Sequence, residues 1–133
     1  MKYTLFHNVD KRRDDDNIWG EYRPGHRLTV YYAGEIDAAE PTSDLGEPRT
    51  IFERTAEKLF DRHNRDNRPC GRLAPSLSIG DVVVFHVDPD RAFAMAVALT
   101  GFAEVDADAL VTLPESYLEW LETERKERDA HAT

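Results

Sequence analysis

Residues Lys2 to Val9 alternate loosely between apolar and polar positions, with Tyr3, Leu5 and His7 on one side, the period of a half-buried strand. The next stretch, Lys11-Arg12-Arg13-Asp14-Asp15-Asp16-Asn17, has no apolar residue to anchor it and predicts an exposed loop, with Trp19 and Tyr22 pinning its far end. Pro24-Gly25 marks a turn before Leu28-Thr29-Val30-Tyr31-Tyr32, whose β-branched and aromatic residues predict a second strand able to pair with the first. Residues 37 to 48 carry two prolines, a glycine and several acids, and read as loop. Thr50-Ile51-Phe52-Glu53 fits a capping box, in which a threonine hydroxyl and a glutamate three residues later satisfy free amides at a helix start. In that helix Phe52, Ala56, Leu59, Phe60 and His63 recur at helical spacing and mark a core face. It is expected to end near Asn64, because Pro69 and Gly71 follow and residues 64 to 72 offer no apolar anchor.

Beyond Pro75, Leu77 and Ile79 precede a Gly80-Asp81 turn that delivers Val82-Val83-Val84-Phe85. An uninterrupted apolar run of this kind predicts a strand buried on both faces. Asp88-Pro89-Asp90-Arg91 reads as a turn, Phe93, Met95, Val97 and Leu99 alternate with alanines as a further strand, and Gly101 separates it from a short strand at 102–105. Together these make a meander. Thr112-Leu113-Pro114-Glu115 is a second capping-box pattern with proline in the first turn, ahead of a helix whose apolar patch is Tyr117, Leu118, Trp120 and Leu121. No large apolar residue follows Leu121, so residues 122–133 are expected to form an acidic tail that extends the helix into solvent and frays. The expected fold class is α+β: a single mostly antiparallel sheet of about five strands, one packed central helix and a C-terminal helix, with residues 1–121 as one domain.

Charge narrows the partners. The 133-residue chain has 26 acidic and 17 basic residues, a formal net charge of −9, and such a field slows encounter with phosphate backbones. Nucleic acid is therefore disfavoured and a protein partner favoured. No run approaches the roughly 20 apolar residues of a membrane span and the first residues lack a secretory apolar core, so a cytoplasmic protein without membrane contact is expected. The lone Cys70 excludes an intramolecular disulfide and a multi-cysteine zinc site.

Arg62, Arg65, Arg68 and Arg72 accompany a single acid, Asp66, and form a local basic patch on an acidic chain. Guanidinium forks pair bidentately with phosphate or carboxylate, so these four are the candidate anion-binding residues. The competing reading is that they complement a helix C-terminus and pair with neighbouring acids. His86 and Asp88, two apart at a strand end, have the spacing of a base and its orienter, but no serine or cysteine nucleophile accompanies them. Asp88, Asp90, Asp106 and Asp108 form two acidic pairs without EF-hand spacing and read as solvated turns. Cys70 among arginines has the surroundings of an activated thiol, against the plainer reading of an inert cysteine. The five histidines show no metal-ligand spacing, and Gly80 has no companion glycines for a phosphate loop. No catalytic motif, metal or cofactor is expected.

The segment Asn67-Arg68-Pro69-Cys70-Gly71-Arg72, then Ser76-Leu77-Ser78-Ile79-Gly80-Asp81-Val82-Val83, preceded by a helix ending in Leu59-Phe60 and followed by Gly101-Phe102 and Val105, resembles the YodL-like small domains of actinobacterial plasmid, phage and conjugative-element proteins. The resemblance spans residues 56–105. It implies a scaffold encoded by a mobile element, and no catalytic residues follow from it. A weaker similarity is to the ASCH and PUA-like barrels, where a Gly-Asp turn also introduces a core strand and the domain binds RNA. Three functional expectations follow: a non-enzymatic interaction protein that binds a host protein; an RNA- or nucleotide-binding barrel using Arg62 to Arg72; and an acidic nucleic-acid mimic presenting Asp106, Asp108, Glu115, Glu119 and Glu122.

Overall fold

The computed structural model describes residues 1–38, 48–65 and 77–131, with backbone alone at 48–50 and 131. Its centre is a six-stranded sheet with two helices, a mixed α and β fold of the class the sequence predicts. In chain order the elements are β1 (Lys2–Asn8), β2 (Arg27–Glu35), α1 (Pro48–His63), β3 (Val82–Asp88), β4 (Arg91–Val97), β5 (Phe102–Val105), a short 3-10 turn (Ala107–Ala109), β6 (Val111–Thr112) and α2 (Tyr117–His131). The strands lie in the order β5-β4-β3-β1-β2-β6. All neighbours are antiparallel except β2 and β6.

The valine run explains the centre of this sheet. Because successive side chains of a strand point to opposite faces, Val83 and Phe85 enter one core and Val82 and Val84 another. The first core is closed by α1, whose Phe52, Ala56 and Leu59 meet Tyr3, Leu5, Met95 and Val97, with the Phe52 ring stacked 4.3 Å from that of Phe93. His63, also on this helix face, is buried and its Nε2 lies 3.0 Å from the Tyr3 hydroxyl, which satisfies both polar groups. On the second face Leu28, Ala94 and Ala96 complete a smaller cluster under Phe6, Tyr22, Val105, Ala107 and Leu110.

Several local expectations are corrected. Helix α1 starts at Pro48, before the Thr50 box, with proline at the first helical position, where a missing N–H is no loss. Phe60 leaves the core face: it is 39% exposed and lies edge-on to Phe102. Leu99 lies beyond the end of β4, in a turn closed by a hydrogen bond from Ala98 N to Gly101 O. The second helix is capped by Ser116 rather than Thr112, because Thr112 is drawn into β6, where it stands opposite Leu28. The Ser116 carbonyl accepts from Trp120 N and its hydroxyl from Glu119 N. Residues 122–131 continue α2, with exposed or partly exposed side chains at 122–130. Among the described residues no helix is long and apolar enough to cross a membrane.

Candidate functional site

The polar loop after β1, expected to be exposed and pinned only at its far end, is tied down along its length by buried polar groups. At its start Asp10 is almost fully buried and accepts from Arg27 three times, from the backbone N at 2.9 Å, Nε at 3.0 Å and Nη2 at 2.9 Å. The Arg27 guanidinium holds the Asp10 carboxyl below the ordinary carboxylate range against the upward push of burial. Asn8 turns its amide oxygen to Asp10 N and its Nδ2 to His26 Nδ1 at 3.0 Å. Since the Arg23 backbone N–H also donates to His26 Nδ1, at 3.1 Å, that nitrogen carries the lone pair. The ring proton is therefore on Nε2, which donates to Asp14 Oδ2 at 3.0 Å.

Asp81, read from sequence only as part of a strand-entry turn, is the buried centre of a second group. Its Oδ1 accepts from Asn8 N at 3.1 Å and lies 3.0 Å from Lys11 Nζ. Its Oδ2 accepts from Ser78 N at 3.1 Å and from Ser78 Oγ at 3.2 Å. His7 Nδ1 stands 3.4 Å from the carboxylate without an aligned hydrogen bond. Burial pushes the Asp81 carboxyl up, but His7, Lys11 and the Asn8 amide outweigh it and hold the group below its ordinary value. The His7 ring is packed by Tyr117, edge-on at 5.0 Å, and by Trp120 at 5.7 Å, which joins α2 to the same place. Burial, and then the nearby Asp81 charge, push the Tyr117 hydroxyl up.

These groups hold one surface feature rigid. Asn17 to Gly20 is a turn closed by Gly20 N donating to Asn17 O, and the Asn17 side chain clamps Glu21 through both its amide oxygen and its nitrogen. Gly20 has φ +72 and backs onto Gly80, whose φ of +91 and position exclude a side chain: a Cβ there would lie 2.1 Å from Gly20 O. The two central residues of this braced turn are Ile18, 83% exposed, and Trp19, 61% exposed. Trp19 thus does not pin the loop, since the indole faces solvent; of the expected pair only Tyr22 packs on the second core, and polar residues fix the rest. Arg12 lines the same small recess as Ile18 and Trp19 and is exposed. Within the loop, Arg13 and Arg23 each have a carboxylate partner, whereas none pairs with Arg12 among the described residues.

The arginine patch is only partly described. Arg62 donates through Nη1 to the Glu35 carbonyl at 3.1 Å, and Arg65 pairs with Asp61 one helical turn back. Both therefore serve the helix end and the strand beside it. Arg68, Arg72 and Cys70 lie outside the described residues. The His86–Asp88 pair does not form, because the β3–β4 register shifts between them. His86 Nε2 meets Thr4 Oγ1 at 2.8 Å, while Asp88 accepts from Arg91 and from Asp90 N. Asp106 accepts from Asp108 N to cap the 3-10 turn, and no three described His, Cys, Asp or Glu residues come together for a metal. Glu115 precedes α2, so it cannot share a helix face with Glu119 and Glu122, as the acidic-mimic reading requires. Glu122 lies 3.8 Å from Lys126, and basic residues recur along this helix. No family model, curated protein or solved structure matches the chain.

Proposed function

We propose that this chain is a non-enzymatic interaction module that binds another protein through the braced loop carrying Ile18 and Trp19. The observation that carries this reading is the exposure of two large apolar residues on a turn fixed by Asn17, Gly20 and Gly80. Such residues add nothing to the core, and a tryptophan carried on a turn already fixed needs little backbone ordering when a partner buries it. The ionic centre supports the same reading. Both Asp81 oxygens are taken by the loop and turn they join, which makes the carboxylate a tether. The anion-binding reading is weakened by the local partners of Arg62 and Arg65. Mobile-element origin remains part of the proposal through the sequence resemblance alone.

The test is affinity capture from host cells with wild type and an Ile18→Ser/Trp19→Ala variant, with thermal unfolding followed in parallel. Loss of one discrete protein partner at an unchanged unfolding midpoint is the expected result. Partner binding indifferent to both substitutions would overturn it. So would turnover of a small substrate that disappears in Lys11→Met or His7→Ala.

A further inference from the structure

The turn that backs the Ile18–Trp19 tip also walls an apolar recess. Ser78 and Ile79, immediately before Gly80, line a space of about 430 Å³ together with Phe60, Leu77, Leu99 and Phe102. This volume falls within the range of roughly 300–1,000 Å³ typical of clefts that bury small organic groups, so an indole fits it. Two of its walls are themselves apolar side chains turned outward: Phe60 and Leu99, the latter 48% exposed. One molecule therefore carries an apolar projection and an apolar recess of matching chemistry on either side of one turn.

Charge matches in the same sense. Arg12 sits beside the projection, and no carboxylate pairs with it among the described residues. Glu57 is exposed on α1 three positions before Phe60, which lines the recess, so helical spacing sets Glu57 beside it. Resting on the reading of the tip as a docking element, we propose that its occupant is a second copy of this chain: Ile18 and Trp19 of each copy enter the recess of the other, and Arg12 of one faces Glu57 of the other. In this dimer a two-fold axis relates the copies, so that each contact occurs twice and the assembly closes. The net charge of −9 on each copy opposes association, so the dimer is reversible and concentration-dependent.

Sedimentation equilibrium across a concentration series tests this on the full chain. The expected result is a monomer–dimer equilibrium that Trp19→Ala and Leu99→Glu each weaken by roughly 1,000-fold, the loss of two tryptophan anchors, one from each copy, at unchanged unfolding midpoints. Mixing these two variants restores one intact contact and forms a heterodimer tighter than either variant alone. Arg12→Glu weakens the dimer, and adding Glu57→Arg to it restores association. A monomer at every concentration, a dimer indifferent to Trp19, or failure of the charge exchange to restore binding would overturn the proposal. A monomeric wild type that captures a different protein through Trp19 would refute the dimer and leave the docking reading standing. A monomer that co-sediments with phosphatidylcholine vesicles through Trp19 would refute both.

Discussion

Replacing Asp81 by asparagine probes the tether with almost no change of shape. Whichever way the new amide turns, its NH2 meets a donor, either Ser78 N or the pair Asn8 N and Lys11 Nζ, all of which now point at carboxylate oxygens. The Lys11 ammonium, mostly buried, loses its countercharge, and one backbone N–H is left without an acceptor. Breaking one side of a buried pair costs about 3–5 kcal/mol, and a stranded buried donor alone about 1–3 kcal/mol, so Asp81→Asn is expected to lose about 3 kcal/mol. For a chain of this length that lowers the unfolding midpoint by about 10 °C. Urea titration followed by circular dichroism measures the loss. Lys11→Met, which removes the other charge, should make the double variant more stable than the sum of the single losses predicts, by about 1 kcal/mol or more. A loss for Asp81→Asn within about 0.5 kcal/mol of zero, or strict additivity with Lys11→Met, would refute the assignment of Asp81 as a charged tether.

Gly80→Ala places a methyl group against the Gly20 carbonyl and strains a residue at φ +91, so a loss of about 3 kcal/mol is expected in thermal unfolding. Gly25→Ala, at φ +92 with nothing within 4 Å, should lose only about 1 kcal/mol in the same assay. Asp10 and Asp81 both have folded pKa values below their unfolded ones, so their stabilisation is fully present above the ordinary value of 3.8 and is lost as pH falls through the lower folded values. Urea titrations repeated at descending pH should show that loss, and it should be shallower in Asp81→Asn. Phe52→Ala removes the ring stacked on Phe93 and contacting Phe85 and should cost about 3–4 kcal/mol in the same titration.

The sheet was legible because its signal is local. Four consecutive apolar residues at 82–85 have no stable place except between two covered faces, and Gly101 leaves a short pairing segment after it. The two-residue β6 was not legible, since its pairing depends on Leu28, far back in the chain. Neither was the tether. Asn8, Asp10, His26 and Asp81 are the residue types of turns and solvated loops, and their burial is stable only because partners up to 73 positions away complete their hydrogen bonds. The aromatic residue mistaken for an anchor shows the same limit from the other side. Trp19 reads as core material, yet the turn that carries it is fixed by polar atoms and leaves the indole outside. For the arginine patch, the sequence offered basic residues at a helix end as the alternative to anion binding; Arg65 does pair with an acid one turn back, whereas the reach of Arg62 to the Glu35 carbonyl depends on a strand 27 positions away. A capping pattern such as Thr112 to Glu115 fails where a neighbouring strand competes for the same backbone.

Buried polar groups, with Tyr22 packed on the second core at its far end, hold the loop after β1 in one conformation. Native-state amide hydrogen exchange tests it most directly at Asn8, Gly20, Glu21 and Arg27, whose N–H groups donate to Asp81, Asn17 O, Asn17 Oδ1 and Asp10. The account predicts protection of these amides well above that of an open loop, collapsing at Asn8 and Gly20 together in Asp81→Asn. Exchange at Gly20 and Glu21 as fast as in an unfolded chain, in the wild-type protein, would contradict it.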